Sequence, residues 1–213
     1  MGRRSDHTRD ELRALVIREA HRHLAEVGFI RFSAREVAKR IGYSIGTIYN
    51  VFGSLDALMI AVNTRTFALW ADHVARHLDR AGDDRIGVLV EAYFSFAQTN
   101  PNLWTAIYEH RLPPDMPMPE DDARERGRLT RMIQTEVASA LARPADETVA
   151  ALTRSLIASV HGHCSFAVTG AFALLGETDP VASALARVRE AIEAKTARNP
   201  ESDAQHAPAH PPQ

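Results

Sequence analysis

The sequence predicts an all-α protein, and three features of it do so. Apolar residues recur at spacings of three and four along most of the chain, the period of one helix face. Nowhere do Val, Ile and Thr alternate with polar residues for long enough to make a strand. The breaks between apolar stripes carry Gly, Pro, Ser and Asp where helices start and stop.

The first helix is expected over 8–28, with Leu12, Leu15, Val16, Ala20, Leu24 and Val27 on one face and Gly28 as its stop. Phe29, Ile30 and Phe32 form an apolar connector. Ser33 opens the second helix and stands three residues before Glu36, the spacing of a capping box. Gly42 breaks that helix, and Ser44 caps a short third one with Ile48, Val51 and Phe52 inward. Ser54 caps the fourth, expected to reach about residue 80, with Asp56 favouring its N-terminal end. Further helices are expected over 83–100 and 101–110, the second with Pro101 in its first turn. RLPPDMPMPE holds four prolines in ten residues and reads as a loop. Helices over 120–142, 145–175 and 179–198 complete the set, and the proline-rich tail 199–213 reads as disordered.

The second helix, a glycine-containing turn and the third helix make a helix-turn-helix. In that arrangement the second helix of the pair enters the major groove of DNA. Ser44, Ile45, Gly46, Thr47, Tyr49 and Asn50 are expected to face outward for this. Thr47 can hydrogen-bond a base or press its methyl on thymine, and Asn50 has the groups to pair with adenine. Gly46 permits close backbone approach, and Tyr43 and Tyr49 can bond phosphates. Arg35 and Lys39 on the second helix supply positive charge.

Residues 12–58 resemble the DNA-binding domain of the TetR/AcrR family of bacterial transcriptional regulators. The resemblance rests on Gly28, Ser33, Val37-Ala38, Gly42-Tyr43-Ser44, Gly46-Thr47-Ile48-Tyr49, Phe52 and Leu58 in order. Two positions depart from the family pattern: Val51 replaces a His or Tyr, and Leu55 replaces a phosphate-contacting lysine. The resemblance implies a DNA-binding head over 1–57 and a ligand-binding and dimerisation domain over 58–198. It implies a repressor that binds a near-palindromic operator as a homodimer and is released by a small effector. A DNA-binding dimer without an effector is the alternative.

Composition agrees with a folded, water-soluble chain: 45% hydrophobic and 24% charged residues, with a net charge of −2. Residues 1–57 carry 10 Lys/Arg against 7 Asp/Glu, and the remainder carries 15 against 20. The basic excess thus sits at the helix-turn-helix end, as a polyanion partner requires. One cysteine, Cys164, and the lack of a membrane-length apolar run suit the cytoplasm. No catalytic motif or phosphate loop is present, so no enzyme and no cofactor are expected. The pairs His161/Cys164 and His73/His77 have helical chelating spacing but no evident third ligand, so no metal is expected. Phe67, Trp70, Trp104, Tyr108, His161 and Phe166 are the candidate lining of a largely apolar effector pocket. The last two long helices, with the Val181, Leu185, Val188, Ile192 stripe and the small residues Ala151, Ser155, Ala158, Ser159 and Gly162, are the candidate dimer surface.

Overall fold

The computed structural model describes residues 7–197, and among these every regular element is an α-helix. They run α1 (Arg9–Val27), α2 (Ala34–Arg40), α3 (Ile45–Phe52), α4 (Leu55–Leu78), α5 (Arg85–Thr99), α6 (Pro101–Glu109), α7 (Glu120–Ala140), α8 (Glu147–Thr169), α9 (Ala171–Leu175) and α10 (Pro180–Ala197). The tail expected to be disordered lies outside the described residues. No single helix among those described is long and apolar enough to cross a membrane.

The chain divides into two compact units. One holds residues 1–81 and 92–132; the other holds 82–91 and 133–213. In the first, the caps read from the sequence are made. Thr8 and Glu11 form a reciprocal capping box on α1. Ser33, Ser44 and Ser54 each accept a backbone N–H from three residues on, which starts α2, α3 and α4. The head core joins Leu12, Val16, Ala20 and Leu24 of α1 to Val37 and Ala38 of α2 and Ile48 of α3. Leu58, Met59 and Val62 of α4 and Leu103 and Ala106 of α6 complete it. Gly28 ends α1 at φ 75°, and a Cβ there would stand 3.2 Å from Asn102 Oδ1. Asn102 Nδ2 in turn donates to the Ala25 carbonyl at 2.8 Å, so α6 caps the end of α1.

Arg40 fastens α2 to α1. Its Nη1 meets Glu19 at 3.3 Å and Glu26 at 2.8 Å, while its Nε reaches Glu36 at 3.5 Å. Beneath it, the backbone N–H of Ser33 donates to His23 Nε2 at 3.3 Å. That fixes the neutral tautomer of His23, with the proton on Nδ1.

In the second unit α10 packs along α8. Val149, Thr153, Leu156, Val160 and Cys164 form the buried face of α8, and Ala184 and Val188 that of α10. Val181, Leu185 and Ile192 are half-buried on the same helix. Arg85 grips Glu136 through two parallel bonds of 2.6 and 2.7 Å. The single helix expected over 145–175 is broken. Gly170 takes a left-handed conformation, φ 76° and ψ 6°, which ends α8 and separates α9 from it. A second expectation also changes: a Cβ on Gly162 would meet nothing within 4 Å, so no described helix of this chain approaches it closely.

Acid should unfold the head through its histidines. His21 is 9% exposed, its Nε2 has no partner, and burial, then the charge of Arg65, pushes its pKa down to about 4. His23 is lowered too, first by burial and then by Arg40, against the opposing pull of Glu26, Glu36 and Glu19. A depressed histidine binds its proton more readily unfolded. Stability is therefore complete above the ordinary histidine range and falls as pH drops from about 6.5 to 4, by about 3 kcal/mol for His21. Denaturant melts across that window should show the loss, and His21→Leu should flatten it.

Candidate nucleic-acid interface

The helix-turn-helix surface is built by fixing three sides of α3 and leaving the fourth free. Ile48 is fully buried, and Val51, Phe52 and Ile45 pack partly against the head core. Ile45, expected to face outward, is thus half-buried. Gly46, Tyr49 and Asn50 are exposed, with Ser44 beside them at the N-cap. Ser44 Oγ accepts the Thr47 N–H at 3.2 Å and lies 3.0 Å from Thr47 Oγ1, so the cap also orients the threonine. A Cβ on Gly46 would meet only Ser44 Oγ, at the ordinary distance of 3.6 Å. Nothing among the described residues requires glycine at that position.

Three cations of α2 divide by role. Arg40 is consumed by its carboxylates. Arg35 is exposed with no ion pair among the described residues, and Lys39 is 80% exposed and only loosely near Glu36 at 4.0 Å. Tyr43, in the turn, is half-buried, and its hydroxyl lies 3.0 Å from His7 Nδ1. Two contacts of the head were not foreseen from the sequence: this tie from the N-terminal arm, and Arg13 over the Phe52 ring at 5.3 Å. Neither spacing is a helical one, so periodicity gives no hint of them. Leu55, in the place of the usual lysine, is 42% exposed.

Four of the six candidate effector-pocket residues fall in the first unit. Trp70 is 1% exposed, stacked on Phe96 at 5.1 Å and edge-on to Tyr93 at 4.7 Å. Phe67 lies 6.3 Å from Trp70, and Trp104 lies 5.4 Å from Tyr108, whose hydroxyl is 3.3 Å from that of Tyr93. The Trp70 indole N–H is buried without an acceptor. His161 and Phe166 belong to the second unit, on α8, where Phe166 is 45% exposed and edge-on to Phe172 at 5.5 Å. Cys164 is fully buried, which pushes its thiol up to about 12 and makes it a poor nucleophile. A cavity of about 470 Å³ opens elsewhere in the first unit, lined by Arg13, Thr64, Pro119, Glu120, Asp121 and Asp122. None of the six candidates lines it.

Residues 16–62 match the tetR family of bacterial regulatory proteins, and residues 87–190 match the tetracyclin repressor-like C-terminal domain. The chain belongs to the TetR family. An HTH-type transcriptional regulator of Mycobacterium tuberculosis is 26% identical over 141 residues, which is 62% of this chain and 57% of the relative. The chain thus spans little more than half the length of the curated relatives it matches. Among solved structures, a protein of unknown function from Rhodococcus sp. RHA1 is similar at a TM-score of 0.68 and 20% identity, covering 91% of this chain and 98% of the other. A TetR-family transcriptional regulator from Streptomyces coelicolor is similar at 0.60 and 19%, covering 85% and 98%. The multidrug binding protein EbrR, complexed with imidazole, is similar at 0.59 and 23%, covering 85% and 94%. TetR-family membership makes this chain a transcriptional regulator and not an enzyme.

Gly46→Ala separates the two demands on α3. A mid-helix alanine in place of glycine should raise stability by about 0.5–1 kcal/mol. The same methyl should weaken DNA binding if the groove floor comes as close as the glycine allows. Melting and DNA titration of one variant give both numbers. Unchanged DNA affinity would mean that close approach to the groove does not explain the glycine.

Proposed function

We propose that this TetR-family regulator is a repressor. It binds a near-palindromic operator as a homodimer in the cytoplasm, with residues 1–57 as the DNA-binding head and 58–198 as the effector and dimer domain. The observation that carries the DNA reading is the outward side of α3. Gly46, Thr47, Tyr49 and Asn50 are presented on a helix whose other sides are packed, with Arg35 and Lys39 unspent beside it. Tyr43 and Ser44 flank the same side, and Ile45 offers its exposed edge for apolar contact. Base-edge contacts from Thr47 and Asn50 give specificity, and the cations and tyrosines give position on the backbone.

The dimer reading rests on α8. Ala151, Ser155, Ala158, Gly162 and Phe166 are exposed along one side of it. Open space over Gly162 is room for a second subunit's helix. A two-fold pair of heads then asks for half-sites one helical turn apart, or a multiple.

The effector reading rests on the aromatic cluster and on the unsatisfied indole N–H of Trp70, which a ligand acceptor would meet. Phe67, Trp70, Trp104 and Tyr108 are its proposed walls, with His161 and Phe166 as further candidates. A largely apolar effector that displaces this packing moves α4, whose first turns carry the head core, and so alters the placement of α3. One observation favours the alternative, a dimer with no effector: Trp70 and Phe96 already stack on each other at 5.1 Å.

DNA sites selected from a random pool test the reading directly. Thr47→Ala and Tyr49→Ala should each weaken binding to the selected site by about tenfold or more, at about 1–3 kcal/mol per specific contact. Arg35→Ala and Lys39→Ala should weaken all sequences alike and flatten the salt slope by about one unit each. Selected sites without inverted symmetry would argue against the dimer on DNA. For the protein alone, Gly162→Trp should turn a dimer into a monomer in sedimentation with its melting curve retained. A tryptophan variant that still sediments as a dimer would move the interface off this side of α8.

A further inference from the structure

Arg126 is a half-buried cation with no anion in contact among the described residues. Its Nε donates to Thr64 Oγ1 at 3.0 Å and its Nη2 to the Ile60 carbonyl at 2.8 Å. Its guanidinium lies over the Phe67 ring, 5.5 Å from the centroid. All three partners are neutral. Its neighbours on α7 behave differently: Arg124 pairs with Asp121, and Arg128 pairs with Asp72 and Glu125. Asp122, one turn earlier, acts on Arg126 only from beyond ion-pair contact, and burial depresses the guanidinium's pKa. A guanidinium has five N–H donors, and the neutral partners take two of Arg126's. Charges removed from water are ordinarily matched by a counter-charge.

The 470 Å³ cavity adjoins this group. Thr64, which accepts the Arg126 Nε–H, forms part of its wall. Arg13 on α1 forms another part, and among the described residues it has an aromatic ring, Phe52, but no carboxylate. Two guanidinia without ion pairs therefore stand at one cavity, and its volume lies in the range of small-molecule sites.

We propose that this cavity binds a small organic monocarboxylate, with the carboxylate held by Arg126 and Arg13. A planar carboxylate matches the guanidinium fork and can take paired hydrogen bonds from it. The mouth limits the charge of the ligand. Glu120 and Asp122 line it without ion pairs among the described residues, and Asp121 is occupied by Arg124. A dianion such as sulfate would meet those carboxylates at close range, whereas a single negative charge on an apolar body answers the arginines with less repulsion. The occupied site would also draw on Arg13, which lies over Phe52 at the end of α3. This gives an anion a short physical route to the reading helix. The site is separate from the aromatic cluster around Trp70 and takes a different chemistry.

Isothermal titration of the full chain without DNA tests it, so the result is independent of the DNA and aromatic-pocket readings. Benzoate and hexanoate are the probes, with benzamide and hexanamide as uncharged isosteres and sulfate as the dianion. Each carboxylate should bind at least about tenfold more tightly than its amide and more tightly than sulfate. Arg126→Gln should weaken carboxylate binding by about tenfold or more. Arg13→Gln should do the same, and because Arg13 is exposed that variant keeps the fold, as its melting curve will report. The proposal fails if acid and amide bind alike, if sulfate binds best, if neither carboxylate binds, or if folded Arg13→Gln binds benzoate as the wild type does.

Discussion

The first unit depends on α4 being buried all the way round near its start. Leu58, Met59, Ile60, Ala61, Val62 and Asn63 are all buried, which no helix with one wet face achieves. Leu58, Met59 and Val62 close the head core against α1, α2 and α3, while Trp70, Ala71 and Val74 carry the same helix into the aromatic cluster. A rigid rod shared by two sets of packed side chains cannot slide for one without disturbing the other. Even its polar member is committed: Asn63 Nδ2 lies 3.4 Å from the Ala106 carbonyl of α6. Ser54 sets where this rod begins, through its bond to the Ala57 N–H at 3.0 Å.

Electrostatics in the head follow a division between structural and available charge. Glu19, Glu26 and Glu36 converge on Arg40, which removes three acids and one base from the reckoning at the DNA side. What remains around α2 and α3 is then more basic than a tally of residues suggests. Networks of this kind are worth more than isolated surface pairs, because each carboxylate holds the guanidinium for the others.

The local parts of this architecture were legible in the sequence. Ser33, Ser44 and Ser54 reveal themselves as caps because a cap is a contact over three residues, within reach of pattern reading. The side of α3 left for DNA was legible from the positions of Ile48, Val51 and Phe52, apart from the half-burial of Ile45. The break at Gly170 was hidden because glycine inside a helical pattern has two outcomes, and Gly162, which stays helical, shows the other. Long-range pairings were not legible at all. Arg40 with Glu19, Arg126 with Ile60, and Trp70 with Phe96 join residues with no fixed sequence spacing. For the same reason the aromatic candidates could be chosen by type but not sorted between the two units, and the cavity beside Arg13 left no mark on the pattern.

The bond from Asn102 to the Ala25 carbonyl bears on modularity. Regulators with exchangeable heads invite chimaeras, in which one protein's DNA reader is spliced to another's sensor. A transplant of the first 57 residues of this chain would leave behind Leu58, Met59 and Val62, and with them Leu103 and Ala106 of α6. It would also strip the end of α1 of the amide that satisfies it. The smallest portable reader therefore has to be cut in space and not in sequence: residues up to about the middle of α4, together with a host α6 re-cut to present an asparagine, a leucine and an alanine at the matching positions.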